Sequence, residues 1–236
     1  MQFCQRTHMG LVRASNQDHV LAERRLCGVA DGMGGHKGGE TASLTAVQVF
    51  RSALGKKKPG AQALRMGLEA ANRRVYEMSD REDSLRGMGT TFTVLWEGDS
   101  RMWIAHVGDS RAYRLRNGEL RQITQDHSLV AELVRDHIIT PEAAKTHPYK
   151  NVITRAVGVD PTVEADILEE DKQLDDLWLL CSDGLYNMVD DDVIQQTLLD
   201  MEDEKAADRL LELALENGGK DNVSFVLCRV MEVSNA

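Results

Sequence analysis

A chain of 236 residues can bury a substantial core, and no Pro/Ser-rich linker or low-complexity run divides it, so a single domain over residues 1–236 is expected. A net charge of -10 and a pI near 5.2 disfavour general binding to nucleic acid or to an acidic membrane, so an anionic substrate would need local cations to attract it. The first residues, Met-Gln-Phe-Cys-Gln-Arg, lack an apolar signal core, no stretch approaches a membrane span, and the widely spaced Cys4, Cys27, Cys181 and Cys228 read as buried free thiols of a cytoplasmic protein.

In chain order, residues 3–12 are weakly patterned, with a turn at Gly10. Residues 19–22 and 26–30 read as two short strands separated by Glu23-Arg24-Arg25. A hairpin centred near Arg24 would set Asp18 opposite Ala30, at the same open end as Asp31. Two carboxylates brought together in this way repel unless a cation lies between them.

Residues 29–40 then break the rules of regular structure, with Gly32, Gly34, Gly35, Gly38 and Gly39 falling within eight positions. They join the strand to a helix over residues 40–54 whose apolar positions are Leu44, Val47 and Phe50 or Ala53. The outline is that of a phosphate loop, but no Lys-Ser or Lys-Thr pair follows, and a Gly-x-Gly-x-x-Gly pattern begun at Gly32 ends on Lys37. Asp31 at the strand end suggests a cation site instead. Lys56-Lys57-Lys58 reads as a solvated loop before a second amphipathic helix over residues 61–80, marked by Ala61, Leu64, Leu68, Ala71, Val75 and Met78.

Strands are expected over residues 90–96 and 101–107, the second apolar on both faces and therefore central, with His106 as a hydrogen-bonded core histidine. It ends in Gly108-Asp109-Ser110-Arg111, where Ser110 lacks the Gly-x-Ser-x-Gly setting of a nucleophile and reads as structural. A hairpin over residues 112–116 and 119–123 turns at Asn117-Gly118. Residues 126–158 look like an insertion over the sheet, with one short helix near 128–135, another started by Thr140 and Pro141, and surface positions for His127, His137 and His147. The apolar strand 177–181 runs into Ser182-Asp183-Gly184, and Asp190-Asp191-Asp192 reads as the N-cap and dipole partner of a helix over 193–199. A last helix, 203–216, stops at Gly218-Gly219, and Lys220-Asp221-Asn222 leads into the closing strand 223–230.

The recurring feature is Asp18, Asp31, Asp109, Asp183 and Asp221, each beside an expected buried strand. Hard oxygen donors without a Cys or His companion suit Mg²⁺ or Mn²⁺ rather than zinc. Two such ions about 3.5–4 Å apart lower the pKa of a bridging water and hold a phosphoryl oxygen for in-line attack, so phosphate hydrolysis is the natural chemistry.

Six ordered motifs carry a resemblance: Gly-Leu-Val-Arg-x-Ser-Asn-Gln-Asp (10–18), Ala-Asp-Gly-Met-Gly-Gly-His (30–36), Gly-Met-Gly-Thr-Thr (87–91), His-Val-Gly-Asp-Ser-Arg (106–111), Leu-Cys-Ser-Asp-Gly-Leu (180–185) and Lys-Asp-Asn-Val (220–223). Together they resemble the bacterial metal-dependent protein phosphatases of type 2C, the PPM family of serine/threonine phosphatases. The resemblance implies an α+β fold, a four-layer α-β-β-α sandwich of two antiparallel sheets flanked by helices. It further implies a dinuclear Mn²⁺ or Mg²⁺ centre in a cleft at one end. By the family pattern Asp31 would bridge both ions, Asp183 and Asp221 would complete the first site, and Asp18 with the Gly32 carbonyl the second. Asp109 would hold a third ion shared with Asp183, Arg13 would bind phosphate, and residues 126–158 would form a flap beside the cleft. The implied activity is hydrolysis of phosphoserine and phosphothreonine in proteins, by in-line attack of a metal-bridging hydroxide and in opposition to a bacterial Ser/Thr kinase, by a cytoplasmic monomer. Many eukaryotic members place a histidine directly after Asp-Gly as acid for the leaving group. Here that position is Met33, which leaves the nearby His36 as a tentative general acid beside metal-bound water. A phosphoprotein-binding pseudoenzyme and a small-molecule phosphatase are the alternatives.

Overall fold

A computed structural model describes residues 1–35 and 38–232. Among them, five strands form one antiparallel sheet in the order β1 (Gln2–His8), β11 (Val223–Arg229), β10 (Leu177–Cys181), β7 (Arg111–Arg116), β8 (Glu119–Gln122). The other sheet runs β2 (Asp18–Glu23), β3 (Leu26–Met33), β5 (Phe92–Glu97), β6 (Arg101–Val107), β9 (Asp166–Asp171), with the two-residue β4 (Gly89–Thr90) paired to the end of β3. Helices α1 (Gly38–Leu54) and α2 (Ala61–Arg81) accompany the second sheet, and α6 (Asp191–Asp200) and α7 (Asp203–Glu216) the first.

Alternation along the strands builds the layers. Ala30, Phe92, Val94, Ala105 and Val107 face α1 and α2, where they meet Phe50, Leu64, Leu68 and Val75; the rings of Phe50 and Phe92 pack edge to face with centroids 5.0 Å apart. Their neighbours Val29, Leu95, Met102 and Ile104 point the other way, against Trp178, Leu180, Val226 and Cys228 of the first sheet. On the far side of that sheet Leu177, Leu179, Phe225 and Leu227 meet Ile194, Leu198, Leu210 and Ala214. Three apolar seams between four layers make the expected α-β-β-α sandwich. All four cysteines are buried free thiols on strands, β1 and β3 among them.

The second strand of the Asn117-Gly118 hairpin, residues 177–181 and helix 203–216 lie where the pattern puts them. Asn117 and Gly118 both take positive φ, 52° and 83°, the turn whose twist matches the strands it joins. Differences occur at the edges. β1 is a full strand, yet of its seven residues Cys4 alone is fully buried, so no alternation betrays it. β9 is an edge strand of sequence Asp-Ile-Leu-Glu-Glu-Asp, whose charges guard an open edge and erase the apolar signal. In α1 the buried face is Ala42, Ser43, Ala46, Val47, Phe50 and Leu54, while Leu44 is exposed. Asp190 at the N-cap and Asp191 and Asp192 in the first turn of α6 complement its dipole, but Asp190 makes no side-chain capping bond; Asp191 instead accepts the Tyr113 hydroxyl at 3.1 Å.

The β2–β3 hairpin turns through Arg24 and Arg25, so Glu23 pairs with Leu26 and the register is one step from the expected one. Asp18 therefore stands opposite Asp31 rather than Ala30. A one-residue slip decides whether two side chains share a face, and here both carboxylates leave the hairpin at the same level on the same face.

Candidate metal and phosphate site

Antiparallel pairing carries the remaining aspartates to the end of the sandwich where β2 begins. β10 ends at Cys181, opposite Phe225 of β11 and Arg111 of β7, so Asp183 just past β10, Asp221 just before β11 and Asp109 just before β7 crowd one rim. A hydrogen bond joins this rim to the other sheet: the Ser182 hydroxyl donates to Asp18 Oδ2 at 2.8 Å. Asp31 is fixed by Thr91, whose hydroxyl accepts the Asp31 N–H at 2.9 Å and whose own N–H donates to the Asp31 carbonyl at 2.9 Å. Thr91 and Ser110 share a further bond at 2.7 Å, which gives the buried Ser110 a bracing role.

Two glycines of the motifs are explained by contact rather than by flexibility. A Cβ on Gly32 would lie 2.1 Å from the Gly39 carbonyl oxygen and 2.6 Å from that of Gln17, so the loop can press on the start of α1 only because residue 32 is bare. A Cβ on Gly184 would lie 1.9 Å from the Asn222 carbonyl oxygen. Its absence lets the Asp183 and Asp221 loops touch. Gly184→Ala is expected to cost about 3 kcal/mol by overpacking and to pull the two loops apart. Thermal unfolding together with calorimetric Mn²⁺ titration checks this, and wild-type values in both would contradict the contact.

The electrostatics follow from this crowding. Asp18, 5 % exposed, is raised from 3.8 to about 6, chiefly by burial, against the opposing hydroxyl bonds of Ser224 and Ser182. Asp109 is likewise raised to about 6, by burial first and by Asp126 second. Burial also holds Asp31 well above the carboxylate range, reinforced by Asp18, Asp183, Asp109 and Asp221, and Asp183 is raised by burial and by Asp109, Asp221 and Asp18. Two oxygens, Asp18 Oδ1 and Asp183 Oδ1, are buried with no hydrogen-bond partner. An ionised carboxylate oxygen only accepts, and orphaned ones in a field of like charge are donors of the kind a hard cation such as Mg²⁺ or Mn²⁺ takes. Among the described residues no three such side chains close around a common point.

Arg13, in the loop after β1, reaches this cluster: its Nη2 donates to Asp221 Oδ2 at 2.6 Å, and Asp183 and Asp31 add to the field that raises its pKa. The guanidinium remains more than half exposed. Met33 closes β3 opposite Gly89 and offers no proton; His36 lies outside the described residues.

Several supporting residues were not expected. Asn222 ties the loops together, accepting the Gln17 N–H at 2.8 Å and donating to the Met9 and Ser15 carbonyls at 2.9 Å each. The Lys-Asp-Asn-Val motif (220–223) contains it, but nothing in the sequence names its bonding partners. Arg111 forks onto Asp126 at 2.8–3.1 Å and lies 3.7 Å over the Tyr186 ring, whose hydroxyl donates to the Asp109 carbonyl at 3.0 Å. His106 is the buried core histidine expected, between Thr93 and Gln125. His127 is not at the surface: it is 6 % exposed, its N–H donates to the Gly108 carbonyl, and its Nδ1 accepts the Gly108 N–H at 3.1 Å. That acceptor role puts the ring proton on Nε2, facing Asp166 at 3.2 Å. Burial lowers its pKa against the pull of Asp166, so the ring is a neutral brace between the Asp109 turn and the segment that follows. Thr140 caps the short helix α4 (Pro141–Lys145) of that segment, which it is expected to start, and Ser128 caps α3 (Leu129–Arg135) rather than lying inside it.

Comparison with known proteins agrees with this geometry. The sequence profile of the family described as "Protein phosphatase 2C" matches residues 11–216. The serine/threonine protein phosphatase PstP of Mycobacterium tuberculosis is 40 % identical over 235 residues, 98 % of this chain but 45 % of the mycobacterial protein, so the chain spans about half the length of that relative. The serine/threonine phosphatase stp of Listeria monocytogenes is 38 % identical over 94 % of this chain and 93 % of its own length. The catalytic domain of PstP, solved in complex with two manganese ions, superposes with a TM-score of 0.90 at 40 % identity over 98 % of both chains. Carboxylates at the end of a double-sheet sandwich, six motifs in order and a family match across most of the length have one common explanation: the chain belongs to the protein phosphatase 2C family.

Proposed function

We propose that this protein is a metal-dependent phosphatase that hydrolyses phosphoserine and phosphothreonine in proteins, reversing a bacterial Ser/Thr kinase. The observation that carries the reading is the pair of orphaned oxygens on Asp18 and Asp183 in an acidic cluster that Arg13 reaches through Asp221 and Asp183. In this reading Asp31 would serve both of two ions, Asp183 and Asp221 would help to hold one, Asp18 and the Gly32 carbonyl the other, and Asp109 would help to hold a third. Mn²⁺ or Mg²⁺, when bound, supplies charge neutralisation and a water of lowered pKa for attack on phosphorus. The chain's own part is positioning. Asp31 is pinned by Thr91 and Asp18 by Ser182, so the acidic face is fixed before substrate arrives. Arg13 presents a planar guanidinium, suited to two phosphoryl oxygens, once it exchanges Asp221 for substrate. The leaving alkoxide must gain a proton, which Met33 cannot give and which His36 or water supplies. Residues 126–158 act as a flap, rooted by the His127 bonds to Gly108. Among the described residues no helix is long and apolar enough to cross a membrane; a cytoplasmic monomer is the assignment we favour.

Phosphate release from p-nitrophenyl phosphate and from phosphoserine and phosphothreonine peptides tests this. Turnover is expected with Mn²⁺ and absent with a chelator. Wild-type protein that binds Mn²⁺ and phosphopeptide without releasing phosphate would favour a binding protein instead.

A further inference from the structure

Resting on that reading, we infer that Leu11 and Val12 form an apolar docking ridge for the substrate chain beside the phosphorylated residue, so that the preferred substrates carry apolar side chains next to the phosphoserine or phosphothreonine. The two side chains are 64 % and 69 % exposed, and the adjoining Met9 is 41 % exposed. A single exposed leucine is ordinary; adjacent ones on a loop held rigidly at a site mouth are not.

The loop is rigid because it is clamped to the Asp221 segment at several points. The Leu11 N–H donates to the Gly219 carbonyl at 2.7 Å, and Asn222 Nδ2 holds the carbonyls of Met9 and Ser15. Gly10 lies so close that a Cβ would fall 2.2 Å from the Asp221 carbonyl oxygen. Such clamping would allow apolar side chains to be turned inward, yet they face solvent, with Leu11 lying over the bare backbone of Gly219 beside Leu215. Arg13, one residue from Val12 and two from Leu11, carries the guanidinium that touches Asp221. Two residues of extended chain span roughly 7 Å. A peptide whose phosphate meets Arg13 therefore lays its first to third flanking residues across Val12 and Leu11, towards the C-terminal end of α7. Since the chain carries a net charge of -10, apolar contact supplies affinity that surface charge does not.

The test is a matched pair of phosphothreonine peptides, with Leu and Val or with Ser and Gly at the three positions on each side, assayed with Mn²⁺ beside p-nitrophenyl phosphate. Wild-type protein is expected to favour the apolar peptide about tenfold in kcat/KM, mainly through KM. The near-isosteric double variant Leu11→Gln/Val12→Thr is expected to lose most of that preference and to keep p-nitrophenyl phosphate turnover within about twofold. Equal kcat/KM for the two peptides in wild type overturns the ridge, as does an unchanged preference in the variant. A parallel loss on p-nitrophenyl phosphate would show that these residues only hold Arg13, and conversion of a dimer to a monomer on substitution would assign the ridge to a second copy of the chain. Failure of wild type on every substrate would instead remove the phosphatase reading.

Discussion

Asp31→Asn is expected to lower Mn²⁺-dependent phosphate release by about three orders of magnitude, on the order of 4 kcal/mol of barrier, while raising the thermal stability of the metal-free protein. The two effects have one cause. Asp31 sits in the summed field of Asp18, Asp183, Asp109 and Asp221, which penalises its charge when no cation is bound and makes it useful when one is. Asn keeps the backbone bonds to Thr91 and removes the charge. Melting curves in chelator and activity in Mn²⁺ measure both halves, and loss of stability in the variant would sink the account.

The same cluster sets a pH dependence whose sign is fixed by the direction of the shifts. A carboxyl raised from 3.8 to about 6, as Asp18 and Asp109 are, binds its proton more tightly in the folded state. Its contribution to metal-free stability is therefore complete below pH 3.8 and is lost as pH rises through about 6, on the order of 3 kcal/mol for one group at pH 7. Asp18→Asn, which can still accept from Ser182, is expected to melt with wild type near pH 4 and roughly 6–12 °C above it at pH 7 in chelator. A gap that narrows with rising pH would contradict the burial of Asp18.

The second large effect lies outside the acidic cluster. Arg111→Met is expected to cost roughly 3–5 kcal/mol, because Asp126 would be left nearly buried with Gln122 Nε2 at 2.9 Å as its remaining side-chain donor. Lysine is a poor replacement, since the forked bonds to both Asp126 oxygens and the stacking on Tyr186 need a planar cation. Arg111→Met/Asp126→Leu should recover most of the loss, as apolar replacement of both partners often does. Urea unfolding of the Met, Lys and double variants measures this, and a double variant no better than Arg111→Met would locate the cost in the 2.9 Å bond from Arg111 Nη1 to the Tyr113 hydroxyl and in the Tyr186 stacking. The pair matters to the site because Arg111 follows Asp109 by two residues and Asp126 precedes His127, so it staples the rim to the root of the following segment.

The amino-acid sequence by itself determined the chemistry of the rim. Asp31, Asp109, Asp183 and Asp221 are legible because each lies at the end of an apolar strand, next to a glycine or two residues from one, and local turn chemistry at Asn117-Gly118 and the helix start at Thr140 are legible for the same local reason. Only the tertiary structure decided what meets what. The Asp18–Asp31 register depends on which two residues make a turn, Ser182 finds Asp18 across two sheets 164 positions apart in sequence, and His127 is buried by Gly108 and Asp166 rather than by its own neighbours. β1 and β9 escape notice because edge strands bury little and carry charge. Periodicity reports how much of a segment is covered; it carries no record of the distant backbone that covers it. Hence the carboxylates of the rim could be named from the chain alone, while the bonds that hold them could not.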